Sequence, residues 1–269
     1  MEKLQFESRN KQCEFELASN IVFGKNVVFG SNCKKIKIGF GCFIGNDIYI
    51  DVPNLEIGDY TTIHHGSIIH GVNTKIGHNC WIGQYTIIDS LGGNTQIGNN
   101  VGIGAHSQLW SHMKFGDVLA GCNWNSSGSL IIKDDVWLVG HTIVGPITAN
   151  EKSMLLTGGV MMKDMESNKI YAGNPACLIE KLGHQFNTRS LIEKKEMLVN
   201  LFLEFSKQET DINIDKFIVV KEFDTVLFRK GYTQFKLENQ TYMPQYSEAE
   251  FKLIKFMLYD KAKFLPVVD

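Results

Sequence analysis

Isoleucine followed by glycine recurs along this chain at Ile38, Ile44, Ile57, Ile76, Ile82, Ile97 and Ile103, on a basic period of six. So short a period restricts the fold to a repeat architecture, because one repeat cannot bury its own apolar side and must stack on its neighbours. With other apolar positions filled in, the series runs Ile38, Ile44, Ile50, then Ile57, Ile63, Ile69, then Ile76, Ile82, Ile88, then Ile97, Ile103, Leu109. Two residues before most of these stands a small or β-branched residue: Thr61, Ser67, Thr74, Cys80, Thr86, Thr95, Val101 and Ser107. Positions two apart on a short strand point the same way, so both can face inward. The step between triplets is seven from Ile50 to Ile57 and from Ile69 to Ile76, nine from Ile88 to Ile97, and 23 from Leu109 to Ile132. All the extra residues therefore enter at one corner of a three-sided coil.

The expected fold is a solenoid in which three short strands make a turn, an inward isoleucine column fills the prism, and glycine serves the tight bends. Gly at 25 against Pro at 5 fits that use. Stacked at about 4.8 Å, roughly six or seven coils make a prism about 30 Å tall, and residues one coil apart at the same corner can touch. Phe23-Gly24 and Phe29-Gly30 start the series, Ile132, Leu138 and Val144 resume it, and less regular coils continue to about residue 172. The expected organisation is a lead-in over 1–18, a β-helix over 19–178 with a loop at 110–131, a helical connector over 179–210, and a small α+β segment over 211–269. In the last two, RSLIEKKEMLVNLFLEFSK (189–207) has helical apolar spacing, KFIVVKEF, DTVLFRK and YTQFKLE alternate like strands, and Ser247 with Glu250 signals a capping box before a helix.

Lys and Arg number 27 against 29 Asp and Glu, a formal charge of -2, so there is no basic field for a nucleic-acid backbone. MEKLQFESRNKQCEFE has no apolar core of a signal peptide, and no run of 18 apolar residues occurs, so no membrane span is expected and the expected location is the cytoplasm. The six cysteines lack a CxxC pair and read as reduced thiols.

DDVWLVG at 134–140, VMMKD at 160–164 and GNPA at 173–176, following a hexad repeat and a long loop, resemble the closing part of a hexapeptide-repeat acyltransferase. The resemblance covers roughly residues 19–180, and TIIDSLGGNTQIGNNVGIGAHSQLWSH followed by a long loop is most similar to the sugar O-acetyltransferases. It implies a left-handed parallel β-helix, a homotrimer with active sites between subunits, and acetyl-CoA as donor, with no metal.

On the same resemblance His112, three residues past Leu109, stands where these enzymes keep the catalytic base, and imidazole suits removal of a hydroxyl proton near neutrality. Asp89 follows Ile88 at the same corner one coil earlier, where a carboxylate orients either the imidazole or the acceptor. The family pattern assigns Asp89 and Gln84 to the acceptor sugar, Trp137 and Gly140 to the wall beside the acyl and pantetheine groups with His141 next to them, Gly159 to backbone contact, and Lys163 to the CoA phosphates. Val139 and His141 stand where the family has G-x-G, and Cys177 where it has Lys or Arg. In the loop, Trp124 between Asn123 and Asn125 either stacks on a sugar ring or covers the loop's own apolar residues.

The expected function is acetyl transfer from acetyl-CoA to a hydroxyl of a carbohydrate, a building block of a cell-surface polysaccharide. The alternative is N-acetylation of an amino sugar carried on a nucleotide. Two further readings are weaker: His70, His106 and His112 converging on a metal, as in γ-carbonic-anhydrase-like hydratases, and a non-catalytic scaffold, which needs no 22-residue interruption between Leu109 and Ile132.

Overall fold

The structure is a computed structural model and describes residues 6–267. The chain divides into two compact units, one ending at Phe186 and the other beginning at Asn187. Among the described residues the first unit winds three parallel sheets of eight, seven and nine strands, the last closed by the antiparallel pair Ile170–Gly173 and Ala176–Leu178. The chain visits the first, second and third sheets in rotation, and each strand pairs with the coil before and the coil after it, as a parallel β-helix requires. Glu7–Ser8 and Glu14–Leu17 already pair with Val28–Phe29 and Lys35–Ile38, so coiling begins within the segment read as a lead-in. Residues 1–5 of that segment, and 268–269 at the other end, lie outside the described residues.

The isoleucine series forms three inner columns, one per sheet. Ile50, Ile69, Ile88, Leu109 and Val144 are in register on the first sheet, Ile38, Ile57, Ile76, Ile97 and Ile132 on the second, and Ile44, Ile63, Ile82, Ile103, Leu138 and Leu155 on the third. All are at most 2% exposed. The small residues two positions earlier are buried beside them, and three show why smallness with a polar atom suits the site. Thr61 Oγ1 donates to the Gly77 carbonyl at 2.7 Å, Ser67 Oγ to that of Gly83 at 3.0 Å and Cys80 Sγ to that of Gly98 at 3.0 Å, satisfying carbonyls at the next coil's bend. Glycine at the bends is dictated by stacking: a Cβ on Gly83 would lie 2.5 Å from the Ala105 nitrogen.

The extra residues do enter at one corner, between the first and second sheets. The segment expected as a loop over 110–131 is an arm built on an antiparallel hairpin, His112–Lys114 against Asn125–Ser127, with His112 opposite Ser127. Beyond it Phe115, Val118, Leu119 and Trp124 are exposed.

In the second unit, helix α1 (Leu191–Gln208) starts at Ser190, whose side chain accepts from the Glu193 N–H while the Glu193 carboxylate takes the Ser190 N–H at 2.7 Å. Its buried residues Phe202 and Phe205 pack on Phe217, Phe235 and Phe256 within this unit. A sheet of Phe217–Val220, Thr233–Lys236, Thr241–Met243 and Leu265–Pro266 follows. DTVLFRK, expected as a strand, is instead the short helix α2 (Thr225–Arg229). Asp224 caps it by accepting from the Val226 and Leu227 N–H groups at 2.7 and 3.3 Å, which fixes a helical turn where apolar alternation alone suggests a strand. Helix α3 (Glu248–Met257) begins at Ser247 as expected, and the buried Glu250 carboxylate also receives Thr233 Oγ1 and the Gln245 N–H at 2.8 Å and the Tyr246 N–H at 3.0 Å. No helix among the described residues is long and apolar enough to cross a membrane.

Candidate active site

The strand Ile87–Ser90 turns Ile88 into the prism and Asp89 outward, at the end that leads into the corner between the first and second sheets. Parallel register sets His70 beside Asp89 from the coil before and Trp110 from the coil after. The base of the arm is tied down: the Ser111 N–H donates to the Asp89 carbonyl at 3.0 Å, and the buried Ser111 accepts the Gly92 N–H on its hydroxyl at 2.8 Å and the Gly128 N–H on its carbonyl at 2.9 Å. His112 emerges from this anchored point. Its Nδ1 lies 3.2 Å from Asp89 Oδ1, at an angle short of a hydrogen bond. The other oxygen, Oδ2, is 3.2 Å from Nδ1 of His70, and the Leu91 N–H donates to Oδ1 at 2.9 Å. Trp110 stands nearly perpendicular to the His112 ring at 6.1 Å, with its indole N–H on Gln108 Oε1.

This arrangement has a defined chemical consequence. The Asp89 side chain is 8% exposed, so its charge is poorly screened, and a carboxylate at Nδ1 of His112 favours the tautomer protonated there. The lone pair is left on Nε2, the form a general base needs.

Of the residues expected to hold the donor, Trp137, Gly140, His141 and Gly159 lie at another corner of the prism, between the third and first sheets. Trp137 belongs to the third sheet, is exposed, and lies over Gly102, where a Cβ would be 3.1 Å from its ring. Gly140 has φ of 140° and His141 one of 50°, both in the region glycine favours. His141 stacks on His106 with centroids 4.9 Å apart, and His106 stacks on Tyr85 at 5.3 Å, a column of rings over three coils. Gln84 stands at this same corner, in the turn before the strand Ile87–Ser90, whereas Asp89 lies toward the far end of that strand. Gln84 and Asp89 therefore stand at two different corners of one chain. Gly159 spends its N–H on the Leu156 carbonyl and its carbonyl on the Ile143 N–H, both at 3.0 Å. Lys163 is exposed just past the first-sheet strand Val160–Met161, and so lies toward the corner of Asp89 and His112 rather than that of Gly140. Trp124 is exposed on the arm, beside a shallow pocket of about 260 Å³ shared with Lys114, Phe115 and Asn125.

Of the expected site residues, the structure thus brings Asp89 and His112 together and adds His70, whose position 19 residues before Asp89 and one coil below was the signal for it. His106 does not join His70 and His112, since it lies in the ring column at the other corner. Among the described residues no group of three or more His, Cys, Asp or Glu side chains is placed to hold a metal ion. Elsewhere on the third-sheet side, His64 lies 4.2 Å from the Trp81 ring with neither ring nitrogen hydrogen-bonded, and burial pushes its imidazole below the usual histidine range.

No protein-family model matches the chain. Among solved structures it is similar to the polySia-specific acetyltransferase NeuO, at 21% identity and a TM-score of 0.48, with 70% of this chain and 92% of that chain covered. It is similar also to the N-acyltransferase AntD from Bacillus cereus in complex with dTDP and 3-hydroxybutyryl-CoA, at 18% identity and a TM-score of 0.40, over 73% of this chain and 91% of that one. A third is a hexapeptide-repeat-containing acetyltransferase from Vibrio cholerae O1 biovar eltor complexed with acetyl coenzyme A, at 17% identity and a TM-score of 0.37, over 56% and 71%. What this chain has, from its own strand order, is a parallel β-helix fold.

Proposed function

We propose that this protein is an acetyltransferase that moves the acetyl group of acetyl-CoA to a hydroxyl of a carbohydrate, a building block of a cell-surface polysaccharide, with His112 as general base. The observation that carries the reading is the Asp89 carboxylate 3.2 Å from Nδ1 of an imidazole fixed at the foot of a long arm on a rigid scaffold. His112 Nε2 takes the acceptor proton as the hydroxyl oxygen bonds to the thioester carbonyl carbon. The tetrahedral adduct then breaks its C–S bond, and the proton passes from His112 to the departing thiolate, giving the acetyl ester and free CoA with the enzyme restored. Asp89 holds the ring and stabilises the imidazolium in between. A backbone N–H at the corner of Gly140 is the proposed donor to the oxyanion.

In this reading Trp137, Gly140 and His141 form the wall along which the pantetheine and acyl group run, Gly159 offers backbone contact, Lys163 meets the CoA phosphates, and Gln84 and Trp124 contact the acceptor. The base and the donor wall occupy two different corners of the prism, which supports assembly of each site from two copies of the chain. A closed ring of three copies satisfies that pairing at every corner, and we propose a homotrimer.

The test is a panel of sugars, amino sugars and nucleotide sugars incubated with acetyl-CoA and the purified protein, with the product treated by hydroxylamine. An ester is cleaved and an amide survives. A hydroxylamine-labile product supports O-acetylation. A resistant one on an amino sugar replaces it with N-acetylation, which the same base position serves.

A further inference from the structure

We propose that His70 is a positioning residue for His112: it holds the second oxygen of Asp89 and so sets the rotation of the carboxylate on which His112 leans. The inference rests on the reading of His112 as the base. The Asp89 carboxylate has three polar neighbours. The Leu91 N–H and His112 Nδ1 share Oδ1, at 2.9 and 3.2 Å, and His70 Nδ1 is hydrogen-bonded to Oδ2 at 3.2 Å. Among the described residues His70 is the one hydrogen-bond partner of Oδ2. The contact with His112 is already short of hydrogen-bond angle, so a small turn of the carboxylate changes it steeply. Removing His70 frees that turn. Both rings then follow one rule: each carries its proton on Nδ1, facing its own carboxylate oxygen, and each leaves Nε2 open.

The groups facing His70 are few. Asp89 and, across it, His112 lie on the later coils. Asp51 lies in register on the coil before, and its carboxylate is occupied by the Asn32 N–H and side-chain amide at 2.9 Å and by the Tyr49 hydroxyl at 3.3 Å. The Arg9 guanidinium lies over the Tyr49 ring at 5.8 Å. His70 is 40% exposed against 18% for His112, so His112 is the more enclosed of the two rings.

The experiment compares the parent full chain with His70→Ala and His70→Gln. His70→Ala is expected to lower kcat roughly 10- to 100-fold, the range for groups that orient a reacting ligand, with KM for acetyl-CoA unchanged. His70→Gln keeps a neutral donor to Oδ2. It is expected to restore most of kcat, again with KM for acetyl-CoA unchanged. Unchanged kcat in His70→Ala, or a Gln variant no better than the Ala variant, overturns the proposal. A second readout needs no substrate: nitrogen-15 NMR of the imidazoles is expected to place the His112 proton on Nδ1 in the parent and in His70→Gln, and to show it shared between Nδ1 and Nε2 in His70→Ala. That pattern without turnover upholds the clamp and removes His112 as base, whereas one unchanged His112 tautomer in all three proteins removes the clamp whatever the activity.

Discussion

Ile68 and Ile69 are neighbours on one strand, and the fold assigns them opposite fates. Ile69 is fully buried, stacked in register between Ile50 and Ile88, while Ile68 is 37% exposed on the outer face. Replacing Ile69 by alanine removes three carbons from the inner column, a transfer loss of about 2.4 kcal/mol at about 0.8 kcal/mol per carbon. The coils above and below are held at strand spacing by ladder hydrogen bonds, so the prism cannot close on the void, and the cavity raises the cost to about 3–5 kcal/mol. Ile68→Ala forfeits only part of the same transfer term and leaves no cavity, so about 1.5 kcal/mol is expected. Urea unfolding followed by tryptophan fluorescence reads this cleanly, because all four tryptophans, Trp81, Trp110, Trp124 and Trp137, lie in the first unit. The chain concentration is held fixed so that association does not shift the midpoint. Equal midpoint shifts for the two variants, or a larger one for Ile68→Ala, refute the inward column.

Three other outcomes follow from the geometry. Asp89→Asn keeps the side chain's shape but removes the charge that stabilises the His112 imidazolium, so kcat is expected to fall roughly 100-fold or more with the parent's circular dichroism retained. His64 is held below the usual histidine range by burial, so the unfolded chain binds its proton more readily. That makes stability fall as pH drops through the ordinary value of 6.5, and His64→Leu is expected to narrow the gap between melting temperatures at pH 7.5 and 5.5. Truncation after Phe186 is expected to leave cooperative tryptophan-monitored unfolding intact. Truncation before residue 211 instead strips α1 of the Phe217, Phe235 and Phe256 rings that cover Phe202 and Phe205, and is expected to produce an aggregating protein, as sedimentation will show.

The prism was legible because its signal is dense: a six-residue period leaves an inward isoleucine on every short strand, and the irregular steps identify the corner that tolerates insertion. The arm was legible only as an interruption, since HMK and NSS carry no apolar alternation and pair through backbone hydrogen bonds that leave little mark on residue type. In DTVLFRK the decisive residue was Asp224, a cap whose effect on the following apolar residues outweighs their β-propensity.

For the site, coil stacking related Asp89 to His112 and placed His70 at the same corner, because register follows from counting. The division of the two carboxylate oxygens between two imidazoles was not legible, since it depends on side-chain torsions. That Gln84 and Asp89 stand at opposite ends of one face was available from counting along the coil, but a family pattern that groups residues by role does not record it.

The central claim is direct acetyl transfer with His112 as the base, and release of free CoA thiol from acetyl-CoA tests it most directly. The parent and His112→Ala proteins are compared at equal concentration, with matched circular dichroism and sedimentation, in the presence of carbohydrate acceptors. The account predicts acceptor-dependent thiol release by the parent and a loss of several powers of ten in the variant. Equal release by the two proteins contradicts it.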